Sequence, residues 1–357
     1  MTPESYRQIV SGEQQGTLAS LARLALAVLE PIYRFAMRRR NERFDREPSL
    51  SHSVDACVIS VGNLTLGGTG KTPITVWLAR WFTARGVRVA LVSRGYGGHH
   101  VGPNDEALEM SRRLPNVPHV QNRDRVAAAQ TAIEQYQCQV IIVDDGFQHR
   151  RLHRDLDLVV IDALVPFGYG RVFPRGMLRE PMEGLRRADL LLLSRADQVH
   201  PSRRVEIRDL VARYAPRTSW IEVAHHPTEL VQASGSVKPV DHLSHTPLAA
   251  FCGIGNPAAF RGTLSDIEYQ LLGIKTFPDH YQYNPADLET LAAWAADLGA
   301  EALVCTHKDL VKINQDQLGG LPCWALTVDI RVNDGQDELD EKLKSILKSF
   351  QEPSFRE

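Results

Sequence analysis

The sequence predicts an α/β fold: a mostly parallel sheet with helices on both faces, a smaller second α/β domain after it, and an amphipathic helix before it. Three observations carry this expectation. Short apolar runs alternate with helical segments from residue 54 onward. A glycine-rich loop, Gly67-Gly68-Thr69-Gly70, lies between a run that reads as a strand and one that reads as a helix. The apolar run Val140–Val143 delivers two carboxylates, Asp144 and Asp145, at its end. Strands that alternate with helices form parallel sheets buried on both faces, so each strand reads as a continuous apolar run.

The N-terminal helix is predicted over Leu18–Met37. Its apolar residues Leu18, Leu21, Ala25, Val28, Leu29, Ile32, Phe35 and Ala36 recur at helical spacing, and Arg38, Arg39, Arg40, Arg43 and Arg46 follow. Two readings fit: a helix lying in the interface of an anionic membrane, or a helix packed on the core with a solvated basic end. Pro31 is expected to kink or divide it. Arg23, Glu30 and Arg34 interrupt it, so the run falls short of the roughly 18 uninterrupted apolar residues of a spanning helix.

The first α/β pattern then runs in order. Val54–Val61 is a buried strand ending at Gly62, Thr72 to Arg85 a helix, and Val87–Ser93 a strand. Val140–Val143, Leu156–Ile161 and Leu190–Ser194 are further strands. Residues 225–247, broken by His-His-Pro, Ser-Gly-Ser and Pro239, read as a linker or irregular crossover. A second pattern follows: strand Leu248–Cys252, a helix starting over Pro257–Leu264, helix Leu288–Leu298, strands Ala302–Cys305 and Trp324–Val328, and a last helix near Leu339–Phe350. The expected division is 1–48 for the N-terminal helix, 49–230 for the larger domain and 231–357 for the smaller one.

Composition narrows the function classes. A chain of 357 residues with 43% hydrophobic content can bury one large core or two moderate ones. A net charge of -2 gives no global basic field, so no nucleic-acid partner is expected. The five cysteines form no CxxC pair, and four lie in strand-like runs, which predicts buried reduced thiols. The N-terminus does not lead from a basic region into an apolar one, so it does not read as a secretory signal, and a cytosolic location is expected.

The strongest chemical signal is Gly67-Gly68-Thr69-Gly70-Lys71-Thr72 in strand–loop–helix context. Backbone N–H groups of such a loop cradle phosphate oxygens, Lys71 reaches the terminal phosphates and the Thr72 hydroxyl can bind magnesium. The fold class is therefore P-loop-type. Thr65 stands where the general pattern has its first glycine, and Leu66 stands where the partitioning ATPases have a second lysine. Asp144 and Asp145 at a strand end suit magnesium binding. Downstream arginines, among them Arg150, Arg151, Arg175 and Arg179, are candidates to neutralise a transferring phosphoryl group. His149 reads as structural, as does His280 in Phe277-Pro278-Asp279-His280-Tyr281, although a His beside an Asp can take part in proton transfer. Thr306-His307-Lys308-Asp309 fits either a base-reading Lys–Asp pair or a strand-end turn.

Taken together, these motifs resemble the lipid A 4'-kinases (tetraacyldisaccharide 4'-kinases) along nearly the whole chain. The matching segments are Gly62-Asn63 through Pro73, Ser93-Arg94-Gly95-Tyr96-Gly97, Asp144 through His149, Leu178-Arg179-Glu180-Pro181, Gly253-Ile254-Gly255-Asn256-Pro257, Phe277 through His280, and Thr306 to Asp309. Thr65 belongs to that family's own phosphate loop. The resemblance implies transfer of the γ-phosphate of ATP, with Mg2+, to the 4'-hydroxyl of an acylated glucosamine disaccharide 1-phosphate. It implies peripheral binding to the cytoplasmic face of the inner membrane through the N-terminal helix. It further implies that Asp105 and His280 form the acid–base pair and that Glu106 is a lesser magnesium candidate. Here the local sequence is Pro103-Asn104-Asp105-Glu106-Ala107, without the family's flanking Gly and Pro. Lys71, Asp145 and Arg179 complete the implied catalytic set. The competing readings are a G-protein-like assembly NTPase of the metallochaperone type, a soluble small-molecule kinase, and a nucleotide-binding scaffold.

Overall fold

The computed structural model describes residues 3–95 and 105–351. Elements run in the order α1 (Pro3–Ser11), α2 (Thr17–Arg46), β1 (Cys57–Gly62), α3 (Lys71–Thr83), β2 (Val89–Ser93), α4 (Asp105–Arg113), β3 (His119–Gln121), α5 (Arg125–Tyr136), β4 (Val140–Asp144), β5 (Leu156–Asp162), β6 (Leu190–Ser194), α6 (Pro201–Ala212) and β7 (Ser219–Val231). There follow β8 (Val237–Pro239), β9 (Leu248–Cys252), α7 (Pro257–Asp266), β10 (Leu271–Thr276), α8 (Pro285–Asp297), β11 (Ala302–Thr306), α9 (His307–Ile313), β12 (Gln317–Leu318), β13 (Leu321–Asp334) and α10 (Gln336–Gln351).

The chain forms two compact units. Unit 1 is Met1–Arg94, Asn116–Ala224 and Val332–Glu357; unit 2 is Gly95–Pro115 and His225–Arg331. This division differs from the expected 1–48, 49–230 and 231–357 in three ways. The N-terminal helix belongs to unit 1, and so does α10, whose Leu339, Leu343 and Ile346 are buried. The segment carrying α4, taken from the middle of the first α/β pattern, belongs to unit 2. Sequence position cannot reveal such returns, because apolar periodicity shows that a helix has a buried face and not what covers it.

In unit 1 the strands lie in the order β3-β2-β4-β1-β5-β6-β7, and every pairing is parallel. All five residues of β2 and of β6 are buried, which requires cover on both faces of the sheet. One face packs Val58, Ala90, Val92, Ile141 and Val143 against Ala128, Ala129 and Ala132 of α5. The neighbours β1 and β4 decide where the site falls. Val61 pairs with Asp144, so the loops leaving both strands emerge side by side at their C-terminal ends.

Unit 2 carries β10-β9-β11-β13, also parallel, with β8 and β12 added antiparallel. Phe251, Leu303 and Ala325 face α8 and α9 through Leu291, Ala295 and Leu310. Ala250, Val304 and Trp324 face α7 through Phe260 and Leu264.

Two local expectations are corrected. Helix α2 is not divided at Pro31 but runs through it from Thr17 to Arg46, 30 residues. The ring removes one backbone donor from the helix, and Pro31 itself is exposed. Residues 225–231 are strand and not linker: β7 passes through His225-His226-Pro227 and turns back into β8, with Gly235 at φ +90° in the turn. The ladder to β8 begins at Glu229, two residues beyond the proline. Cys138, Cys252, Cys305 and Cys323 are buried free thiols, and Cys57 is half-buried.

Candidate active site

The phosphate loop follows directly from β1 and the glycines after it. Gly67 and Gly70 have φ +103° and +83°, the left-handed region that glycine enters without cost, and Gly70 leads into α3. The loop is held from outside itself. Leu66 N donates to Met177 O (2.7 Å), Arg179 N donates to Leu64 O (2.7 Å), and Thr65 bridges Leu178 in antiparallel fashion. Ser194 Oγ donates to Thr69 O (2.7 Å). This explains why Leu178-Arg179-Glu180-Pro181 accompanies the loop as a motif: it is the segment that clamps it. Among the described residues, the N–H groups of Gly67, Gly68, Thr69 and Gly70 donate to no protein group, and the buried Thr69 Oγ1 has no hydrogen-bond partner. Consecutive uncommitted donors at a helix N-terminus are what a bound phosphate requires.

The carboxylates stand beside the loop because β1 and β4 approach closely. A Cβ on Gly62 would lie 2.5 Å from Phe147 Cβ, and one on Gly146 would lie 2.8 Å from Ser60 Oγ. Asp145 takes a left-handed φ of +53°, a conformation uncommon for a residue with a side chain and frequent where a site demands it. Its Oδ1 is 3.4 Å from Lys71 Nζ and its Oδ2 is 2.7 Å from Arg179 Nη1. Burial would raise its pKa, but Lys71 and Arg179 outweigh that and hold it at about 2. Lys71 is also 3.3 Å from Asn63 Oδ1, and Asn63 is fully buried with its amide donating to Thr65 O (2.8 Å).

Thr72, on the first turn of α3, and Asp144 and Asp145, at the end of β4, provide hard oxygen donors of the kind magnesium takes. Among the described residues no three His, Cys, Asp or Glu cluster into a self-sufficient cage. That combination suits magnesium, which commonly uses one or two carboxylates with substrate phosphate and water. Glu106 lies on the first turn of α4 in unit 2.

The candidate arginines separate. Arg179 alone reaches Asp145; Arg150 pairs with Asp45 (2.7 Å), Arg151 with Asp124 (3.2 Å) and Arg175 with Glu30 (3.3 Å). Arg94 follows β2, whereas Tyr96, Gly97, Pro103 and Asn104 lie outside the described residues. Burial first, then neighbouring Arg125, lowers the His149 pKa to about 4, so its ring is neutral at pH 7.

Unit 2 assembles a second charged cluster. His280 Nδ1 is 3.6 Å from Asp105 Oδ2, and Lys312 Nζ is 3.6 Å from the same oxygen. Thr306 caps α9 by accepting from Asp309 N, so Thr306-His307-Lys308-Asp309 opens a helix. Asp309 is wholly buried and accepts from Gly253 N (3.1 Å), Tyr283 OH (3.0 Å) and Thr306 OH (2.6 Å). Lys308 Nζ bonds Asp279 (3.0 Å) and lies 3.4 Å from His280 Nε2. His280 itself has φ +60°. The motif reading missed Asn63, Gln148, Glu180 and Lys312 as parts of these clusters. For Lys312 a signal existed: it follows Asp309 by three residues, which puts both on one face of a helix.

Comparison with known proteins agrees with the motifs. The family model for tetraacyldisaccharide-1-P 4'-kinase matches residues 22–348. A tetraacyldisaccharide 4'-kinase of Syntrophus aciditrophicus is 35% identical over 333 residues, covering 87% of this chain and 89% of that protein. One from Anaeromyxobacter dehalogenans is 37% identical over 319 residues, covering 85% and 84%. The crystal structure of LpxK from Aquifex aeolicus, described as an "apo" form in complex with ATP, superposes with a TM-score of 0.72 at 28% identity, over 91% of this chain and 99% of that one. The chain belongs to the tetraacyldisaccharide-1-P 4'-kinase family.

Proposed function

We propose that the chain transfers the γ-phosphate of ATP to the 4'-hydroxyl of a tetraacylated glucosamine disaccharide 1-phosphate. The observation that carries this reading is the row of uncommitted N–H groups from Gly67 to Gly70 beside the Lys71–Asp145–Arg179 cluster. The family sets aside the assembly-NTPase alternative.

In this reading the loop amides and Lys71 hold the terminal phosphates, and Arg179 offsets the charge of the transferring group. Thr72, Asp144 and Asp145 would hold magnesium, which would supply charge neutralisation on the phosphates, and Glu106 is the lesser candidate that the family resemblance adds. The acceptor oxygen forms a bond to the γ-phosphorus, the bond from that phosphorus to the β–γ bridging oxygen breaks, and ADP leaves. Asp105 accepts the hydroxyl proton and His280 orients the carboxylate. Phosphoryl transfer depends more on positioning than on a strong base, which suits a late proton acceptor.

Membrane docking is part of the same proposal. Leu18, Leu21, Leu24, Val28, Ile32 and Phe35 of α2 are each more than 60% exposed. A helix that turns its apolar stripe outward, ahead of Arg38, Arg39 and Arg40, suits the cytoplasmic face of an anionic inner membrane. Among the described residues no helix is long and apolar enough to cross a membrane.

Incubating the purified protein with γ-labelled ATP and the disaccharide lipid tests the reaction. Label on the lipid, dependent on magnesium, is the expected result; hydrolysis of ATP with no label on lipid would overturn it.

A further inference from the structure

We propose that α2 is a positioning element of the nucleotide site, acting through Tyr33 and Asn41 on the face opposite its apolar stripe. The inference rests on the reading of the Lys71 site as the nucleotide site and goes beyond membrane docking.

The inward face of α2 carries specific hydrogen bonds besides its core contacts, with Tyr33 both packed on the unit 1 core and hydrogen-bonded. Two side-chain routes lead from it to Lys71, both within unit 1. In the first, Tyr33 OH donates to Arg179 O (2.9 Å), Arg179 Nη1 holds Asp145 Oδ2 (2.7 Å), and Asp145 Oδ1 lies 3.4 Å from Lys71 Nζ. In the second, Asn41 Nδ2 donates to Glu180 Oε2 (2.7 Å), and Gln148 Nε2 is shared between Glu180 Oε1 (3.0 Å) and Asn63 O (2.9 Å). Asn63 Oδ1 then meets Lys71 Nζ at 3.3 Å. Glu180 is wholly buried and doubly bonded by Arg187 (2.9 Å to each oxygen), so it is a fixed anchor for Asn41. Tyr33 is fixed in turn by an edge-on contact with Phe173, ring centroids 5.3 Å apart.

Arg179 and Glu180 are neighbours on the segment that clamps the phosphate loop. Bonds from α2 to one main-chain carbonyl and one carboxylate therefore set the angle at which Arg179 meets Asp145, and with it the resting place of Lys71. Deleting the helix would remove both the apolar stripe and these bonds, so only point variants separate the two roles.

The test uses the full chain in detergent micelles, with Tyr33→Phe and Asn41→Leu. Affinity for a non-hydrolysable ATP analogue with magnesium is read by calorimetry, alongside the KM values for ATP and lipid, the thermal midpoint, and co-sedimentation with phosphatidylglycerol-containing vesicles. We expect the analogue Kd and the KM for ATP to rise about threefold in Tyr33→Phe and about tenfold in Asn41→Leu, the scale of one lost hydrogen bond. Lipid KM and vesicle binding should hold at wild-type levels. Asn41→Gln, which restores an amide donor, should recover most of the loss. A purely structural role would lower the thermal midpoint and the active fraction without moving the KM for ATP, and that result overturns the proposal. So does an unchanged Kd in both variants when wild type binds. A wild-type chain that binds no analogue overturns the nucleotide reading first and this inference with it.

Discussion

The two charged clusters are built on opposite plans. In unit 1 the side chains are few and the main chain supplies the free donors: among the described residues four loop amides are uncommitted, and Asp145 is held by one cation on each oxygen. In unit 2 the side chains serve each other. Asp309 is saturated by three donors and excluded from solvent, and Asp105 Oδ2 lies 3.6 Å from both His280 and Lys312 and accepts from Gln282 Nε2 at 3.5 Å. The first plan suits gripping phosphate, whose charge arrives with the ligand. The second suits a group that must take up a proton, because contacts of 3.5–3.6 Å leave the carboxylate of Asp105 room to make a shorter bond to an acceptor hydroxyl.

The largest effect expected from this contrast falls in unit 1. Lys71→Ala removes a charge from the transferring phosphoryl group and should lower kcat by about 10³–10⁵-fold, the scale of a cation at a phosphoryl-transfer transition state. Steady-state transfer of labelled phosphate measures it, and wild-type turnover would defeat the kinase reading. In unit 2, Asp105→Ala and His280→Ala should each cost about 10²–10⁴-fold in kcat, the range for a positioned acid–base group. Near-normal turnover in either purified variant removes that residue from the mechanism. Equal losses across both clusters would erase the distinction between gripping and proton transfer.

Packing sharpens the same comparison at lower energy. A Cβ on Gly62 would meet Phe147 Cβ at 2.5 Å and Phe147 N at 2.7 Å, where main chain must move. A Cβ on Gly253 would meet Asp309 Oδ1 and Tyr283 OH at 3.1 Å each and Pro278 O at 3.3 Å, tight contacts that stop short of the main-chain overlap at Gly62. Gly62→Ala should therefore destabilise by about 2–3 kcal/mol and Gly253→Ala by about 1 kcal/mol, within the usual cost of overpacking. Denaturant midpoints at constant slope give both values, and the reverse order would show that unit 2 is the more tightly packed.

The same difference decides how much could be read from the sequence. The unit 1 site is written in short, contiguous stretches, Gly67–Thr72 and Asp144–Gly146, because a main-chain grip needs glycines at fixed spacing. Asn63, Gln148 and Glu180 lie in the matching segments, yet their supporting role was not legible, because they have ordinary identities and act through partners far along the chain. The unit 2 cluster joins α4, the loop after β10 and α9, so only family resemblance linked Asp105 to His280, and nothing linked either to Lys312. Helix α2 shows a different limit. Its apolar spacing was plain, yet spacing alone could not say that the stripe faces outward, since a packed helix and an interfacial one share the same periodicity.

The smallest effect concerns acid stability. His307, the first residue of α9, is buried, and its pKa falls to about 4, through burial first and then through Arg113 and Arg112. An unfolded histidine titrates near 6.5. Between these values the unfolded chain binds more protons than the folded one, so stability rises with pH across that window. The contribution is present in full above about pH 6.5 and is lost as pH falls toward 4. His307→Asn removes the titrating group, so its stability should depend less on pH than wild type between pH 6.5 and 4, with the two curves diverging by about 2 kcal/mol. His149 in unit 1, also held at about 4, still titrates in both proteins, so some acid loss persists in the variant. Denaturant melts at half-unit pH steps resolve the difference. Parallel curves for variant and wild type would show that His307 titrates alike in the folded and unfolded chains and takes no part in the acid dependence.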